Sequence, residues 1–132
     1  MCLFIAVALI TGGDGSGRPD QRSAEIYNPL TKTSCSLPSL PERRYYHTQD
    51  GELTCGGGHG YNIPETTCVK WNPASGTWTR SHTLRQKRYH HLSWATASGV
   101  YLIGGYFSKN TSEKVKLDGS VVNGFSLKYD TW

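Results

Sequence analysis

Five histidines and four cysteines are the side chains of this sequence best suited to hold a metal or attack a substrate. A zinc or copper site needs three or four ligands converging on one point, usually announced by pairs a few residues apart. His90 and His91 are adjacent, and neighbours on a strand point to opposite faces, so they cannot share an ion. His47 and His91 lie 44 residues apart, and His59 and His82 have no second ligand at metal spacing. No acidic pair, nucleophile elbow or Cys-His arrangement accompanies them. The glycine run "GGGHG" at 56–60 lacks the Gly-Lys-Ser/Thr and the following helix that a phosphate cradle requires. These residues predict no catalytic group, metal or cofactor.

The cysteines speak to compartment. No two are spaced Cys-x-x-Cys, which weakens zinc and thioredoxin-like readings. Cys55 closes one predicted strand and Cys68 lies in the next strand of the same hairpin, so their side chains can meet in a disulfide. Asn110-Thr111-Ser112 is an N-glycosylation acceptor in a predicted loop. Both features point to an extracellular protein, with a cytoplasmic one as the alternative.

Such groups need a scaffold, and the scaffold is written as a repeat. "LITGG", "LTCGGG" and "YLIGGY" are three apolar runs that each stop on two glycines: Gly12-Gly13, Gly56-Gly57 and Gly104-Gly105. An offset of 44 carries Asn28-Pro29 onto Asn72-Pro73, Leu40 onto Leu84, Arg44 onto Arg88, Tyr45 onto Tyr89 and His47 onto His91 without a gap. Before each Asn-Pro stands an aromatic, Tyr27 or Trp71. The third copy starts 48 residues after the second and then drifts. The units run over about 1–43, 44–87 and 88–132.

Within the second unit, "RYYHT", "LTCGG", "TTCVKW" and "TWTRS" read as four short strands, with Asp50-Gly51 as a tight hairpin and "NPASG" as a turn. Fifteen glycines and eight tyrosines against one methionine, with no apolar stripe at helical spacing, favour strands throughout. Short strands at this spacing, in a period in the forties, predict an all-β propeller. The opening "MCLFIAVALI" reads as a buried strand: it lacks the charged leader of a signal peptide and is too short to span a bilayer. The +4 charge is scattered apart from Arg43-Arg44 and Arg85 to Arg88. One arginine of each cluster falls at an equivalent repeat position, so a structural role outranks nucleic-acid binding.

The double glycine, the aromatic 15 residues later, Trp78 seven residues after Trp71, and Arg-x-x-His at Arg44 to His47 and Arg88 to His91 together resemble the kelch repeat. Ser34 stands where the second copy has Trp78. The resemblance implies a partial β-propeller of two to three four-stranded antiparallel blades. It also implies further blades from a parent chain, or self-association that completes a ring. The rival implied class is a copper-dependent enzyme resembling galactose oxidase, but the tyrosines recur at repeat positions, where packing uses them. The resemblance therefore implies a binding module that presents a protein partner with inter-strand loops of one rim. Arg18, Arg43, Tyr61, Arg85 and Tyr106 differ between copies and occupy those loops, which makes them the partner-binding candidates. Trp78 is expected to be buried between blades.

Overall fold

A computed structural model describes residues 8–13, 21–58 and 63–129. Every regular element in them is a strand, and the strands form three antiparallel sheets in chain order. The first holds β1 (Ala8–Thr11), β2 (Ala24–Asn28) and β3 (Thr33–Ser36). The second holds β4 (Thr48–Asp50), β5 (Leu53–Cys55), β6 (Thr67–Asn72) and β7 (Thr77–Thr83). The third holds β8 (Leu92–Thr96), β9 (Gly99–Ile103), β10 (Thr111–Lys116) and β11 (Val121–Ser126). Each is a meander whose neighbours in sequence are neighbours in space. Among the described residues no helix is long and apolar enough to cross a membrane.

Turn chemistry sets the hairpins. Asn28 and Asn72 each accept two backbone N–H bonds at their side-chain oxygen, from Leu30 and Thr31 (2.9 and 3.3 Å) and from Ala74 and Ser75 (3.0 and 3.3 Å). Four residues after the asparagine the chain turns left-handed: Gly76 does so at φ 66°, and Lys32, at the same place in the first copy, at 55°.

The alternation of side chains decides how the sheets stack. In the second sheet Leu53, Cys55 and Cys68 point one way and pack with Leu84 against Val100, Leu102, Val115 and Val121 of the third. Thr54, Val69 and Trp71 point the other way and are buried toward the first sheet. There Thr11, Ala24 and Ile26 form the opposing buried row. The middle sheet is thus covered on both faces and its neighbours on one.

Three expectations change. The first sheet has three strands among the described residues, not four. The inner strand of the second unit begins at Thr48 rather than at Arg44, because Tyr46 takes φ 54° and breaks the extended run. The third copy does not lose the pattern: the Leu127 amide bonds Asn110 O (2.7 Å) as Leu84 bonds Thr66 O (2.5 Å) and Leu40 bonds Arg22 O (2.7 Å).

Cys55 and Cys68 are disulfide-bonded. They face each other directly in the β5–β6 ladder. The Gly56 amide bonds Thr67 O (3.1 Å), which makes them a non-hydrogen-bonded pair, the kind whose Cα atoms come closest, here 4.1 Å. The bridge lies within the core between the second and third sheets.

Candidate functional site

The connection from each sheet to the next runs across the strand ends of the sheet it enters. Residues 40–47 cross the second sheet and residues 84–91 the third, each starting from a buried leucine, Leu40 or Leu84. Each is pinned by a fully buried arginine. Arg44 Nη1 donates to Gly56 O and Thr67 O (both 2.8 Å) and Nη2 to Thr67 Oγ1 (2.6 Å). Arg88 Nη1 donates to Gly104 O (2.7 Å) and Thr111 O (3.0 Å), and Nη2 to Thr111 Oγ1 (2.9 Å). The guanidinium supplies the donors that strand-end carbonyls lack once the ladder stops. Burial lowers the Arg44 pKa, and the nearby Glu42 and Glu65 carboxylates oppose that.

The paired glycines fit between two such crossings, and each glycine answers to a different one. A Cβ on Gly56 would lie 2.6 Å from Arg88 O and 2.8 Å from His91 Cε1 of the next unit. A Cβ on Gly57 would lie 2.7 Å from Tyr45 O and 2.8 Å from His47 Cβ of its own unit. Both also hold positive φ, 65° and 82°, so no other residue fits either place without strain. Gly12 meets Arg44 and His47 in the same way.

The repeated histidines tie sheet to sheet. Thr11 Oγ1 spends its one proton on Gln49 Oε1 (2.7 Å), so His47 Nε2 must be the donor in its 3.0 Å bond to Thr11. Gln49 Nε2 then returns to Leu9 O (2.5 Å). His91 Nε2 makes the matching contact to Thr48 Oγ1 (2.8 Å). Enclosure, with Arg44 behind it, holds the His47 pKa down at about 4; enclosure, with Arg88 and then His47 behind it, takes His91 to about 3. Both rings are neutral near pH 7. Each bonds the threonine of the preceding sheet.

Above these buried anchors the crossings carry a cluster of rings. Tyr46 stacks on His90 at 3.7 Å between centroids, and Tyr89 lies 5.1 Å from His90, 5.3 Å from Tyr106 and 5.6 Å from Phe107. Tyr45 meets Tyr46 edge-on at 5.0 Å. Tyr46, Tyr106 and Phe107 remain 40, 46 and 50% exposed. Tyr46 and His90 are repeat equivalents, and both are non-glycine residues at positive φ, 54° and 57°. Strain of this kind persists only where the surroundings impose it. Here the arginine anchor two residues earlier and the histidine anchor one residue later leave the intervening residue no extended path.

Of the residues singled out from sequence, Tyr106 belongs to this cluster. Arg43 is exposed at the edge of a shallow hollow it shares with Arg22, Pro41 and Glu42. Arg85 sits at the outer end of the second crossing, where Nη1 bonds Asn123 Oδ1 (3.1 Å) and its amide bonds Glu113 Oε2 (2.7 Å). Arg85 and Tyr106 thus meet the second crossing at different places, Arg85 at its start and Tyr106 through its amide bond to Tyr89 O (3.0 Å). Arg18 and Tyr61 lie outside the described residues. Tyr46, Tyr89, His90 and Phe107 were missed; the adjacent rings Tyr45-Tyr46, Tyr89-His90 and Tyr106-Phe107 were the available signal.

Trp78 is half-buried rather than buried. Trp71 takes the buried place, and Trp78 packs against it with the rings tilted at 55° and centroids 5.2 Å apart, while its indole N–H donates to Pro38 O (2.7 Å). Asn110 is exposed in the turn before β10. A cleft of about 380 Å³ opens at the far ends of the second and third sheets, among Leu53, His82, Val100 and Leu117. Among the described residues no three His, Cys, Asp or Glu side chains are grouped to hold a metal ion. No family model and no curated protein matches the chain.

Proposed function

We propose that this chain is a partial kelch-like β-propeller, its sheets acting as blades, that binds a protein partner through the rim built by the two crossings and the loop after Gly105. What supports the blade reading is that Arg44 and Arg88 make the same bonds to two strand-end carbonyls and a threonine hydroxyl in successive sheets. The observation that carries the binding reading is the solvent-facing ring cluster of Tyr46, His90, Tyr89, Tyr106 and Phe107 on a buried, strained framework. Aromatic side chains that are both exposed and held rigid supply contact area at small entropic cost, which is what interface hot spots need. Arg43 and Arg85 flank the cluster and add charge to the rim. The Cys55–Cys68 bridge supports maturation in an oxidising compartment, where Asn110 would be a glycan acceptor.

The test is capture of a cross-linked partner by the tagged chain. Substituting Tyr46, Tyr106 and Phe107 together by alanine should abolish capture, while Arg43→Ala and Arg85→Ala weaken it and the melting temperature stays within a few degrees. Capture that survives the triple substitution would place binding elsewhere. Copper-dependent turnover of an alcohol or sugar would replace this reading with the oxidase alternative.

A further inference from the structure

We infer that Arg85-Gln86-Lys87-Arg88 is a cleavage site for an endoprotease that reads clustered basic residues, closed by docking of the third sheet and open while the Cys55–Cys68 bridge is unmade. It stands on the second crossing and needs neither the rim reading nor the blade reading. The segment places cations in its first, third and fourth positions, the pattern that the acidic subsites of such a serine endoprotease take up. The first crossing offers the contrast: Pro41-Glu42-Arg43-Arg44 has no cation in its first place and a carboxylate in its second. Hydrolysis adds water across the Arg88–Tyr89 peptide bond, leaving a carboxylate on Arg88 and an amine on Tyr89.

The fold presents the start of this site and withholds its end. Arg85, Gln86 and Lys87 are exposed. Arg88, whose side chain must enter the specificity pocket of the protease, is 1% exposed and tied to Glu113, Gly104 and Thr111 of the third sheet. The bond to be cut is held as well. Arg88 O accepts the Gly57 amide (2.8 Å), Lys87 O the Ser108 hydroxyl (3.0 Å) and Tyr89 O the Tyr106 amide (3.0 Å). A protease takes its substrate as one extended run with these carbonyls free, so the crossing must leave both sheets before it can be cut. Where cleavage is slower than reclosing, its rate follows the population of that open form. The bridge and the latch are joined: Gly57 lies two residues after Cys55, and the bridge fixes the β5–β6 ladder from whose end that amide projects. The same bridge lies in the core where Leu84, next to Arg85, packs with Leu102 and Val115 of the third sheet. A chain without the bridge holds the Arg88 carbonyl less firmly and is cut between its second and third sheets, while a bridged chain is spared. Cleavage thus removes chains that have failed to oxidise.

The test digests the whole chain with a purified endoprotease selective for Arg-x-Lys-Arg and identifies the fragments by mass. The bridged chain should be cut after Arg88 at least about a hundredfold more slowly than the chain carrying Cys55→Ala and Cys68→Ala. Glu113→Gln keeps the bridge and weakens only the hold on Arg88, so it serves even where the bridgeless chain does not fold. It should speed the cut after Arg88 at least about tenfold while trypsin cuts after Arg44 at its former rate. In the bridgeless chain, Arg85→Gln should slow the selective protease at least about tenfold and leave trypsin's cut after Arg88 unchanged, since trypsin reads only the last cation. A bridged chain cut as fast as the bridgeless one overturns the latch. A bridgeless chain left whole at Arg88–Tyr89, or one that Arg85→Gln leaves equally sensitive, overturns the site. Equal acceleration after Arg44 and Arg88 in Glu113→Gln overturns the inference too, because it means that the whole chain has unfolded rather than one crossing.

Discussion

The two crossings perform one task with different partners. Arg88 finds all its nitrogens occupied, because Nε donates to Glu113 at 2.7 Å and that carboxylate is itself buried. Arg44 makes the same carbonyl bonds, but Val69 stands where the third sheet has Glu113. Its Nε has no hydrogen-bond partner among the described residues. Its countercharge comes instead from Glu42, two residues away and partly exposed, which also binds Arg80. The carbonyl cap is therefore the constant part of the design and the carboxylate is the variable one. Burial of the countercharge sets how much depends on each arginine.

That comparison is broken most directly at the arginines. Arg88→Ala strands a buried carboxylate and two strand-end carbonyls, and should cost about 3–5 kcal/mol in urea unfolding, the range for breaking a buried pair from one side. Arg44→Ala should cost less, because Glu42 can turn to water. Equal losses would mean that the carbonyl bonds dominate and that Glu113 adds nothing.

Acid should sharpen the same comparison from the histidine side. Both His47 and His91 are held neutral, with pKa values of about 4 and about 3 against an ordinary 6.5. The folded state thus binds protons more weakly than the unfolded chain between pH 6.5 and those values. Stability contributed by each ring is complete above pH 6.5 and falls by about 1.4 kcal/mol for each pH unit below it, until the folded pKa is reached. His91, with the lower value, should go on losing stability after His47 has stopped. His91→Gln should flatten the acid limb more than His47→Gln does; identical limbs would remove the difference between the two enclosures.

Gly56→Ala tests the contact between the units. It combines positive φ with a Cβ pressed on the Arg88 carbonyl, and should cost more than the roughly 1–2 kcal/mol of a left-handed residue alone. Gly76→Ala, with φ 66° but open space around it, should cost only that conformational share. Equal losses would show that the crossing yields.

The repeat explains what sequence made legible. Glycine pairs and the repeated arginines stand out because their closest partners are largely backbone atoms, present in every copy whatever the side chains do, and the repeated histidines because each meets a threonine hydroxyl, Thr11 or Thr48. The Cys55–Cys68 bridge was readable for a similar reason, since a hairpin register alone brings the two together. Glu113 was not readable: its equivalents are Glu25 and Val69, and a position that changes from copy to copy looks like noise until the arginine it meets is seen. Tyr46 and His90 were hidden by the opposite effect. Their spacing matches the repeat, so they read as part of an inner strand, and only the left-handed backbone turns them outward. Arg85 was read as a free rim residue because its partner, Asn123, lies 38 residues away on the outermost strand.

The smallest expected effect concerns how the first crossing is held from outside. Trp78 reaches back from β7 to the Pro38 carbonyl, just before that crossing begins, while the matching place on β11 is Val121, whose side chain has no N–H to offer. Trp78→Ala removes one hydrogen bond and half-buried ring area, so it should cost about 1–2 kcal/mol rather than the roughly 3–5 of a fully buried tryptophan such as Trp71. Trp78→Phe keeps a ring against Trp71 and drops the bond, for a loss of about 1 kcal/mol. Hydrogen exchange would localise the change: the Arg44 amide, bonded to Gln21 O at 3.0 Å, should exchange faster in Trp78→Phe, while the Tyr106 amide, bonded to Tyr89 O at 3.0 Å, keeps its rate. Faster exchange at both would mean that the two crossings are coupled through the middle sheet and move as one rim.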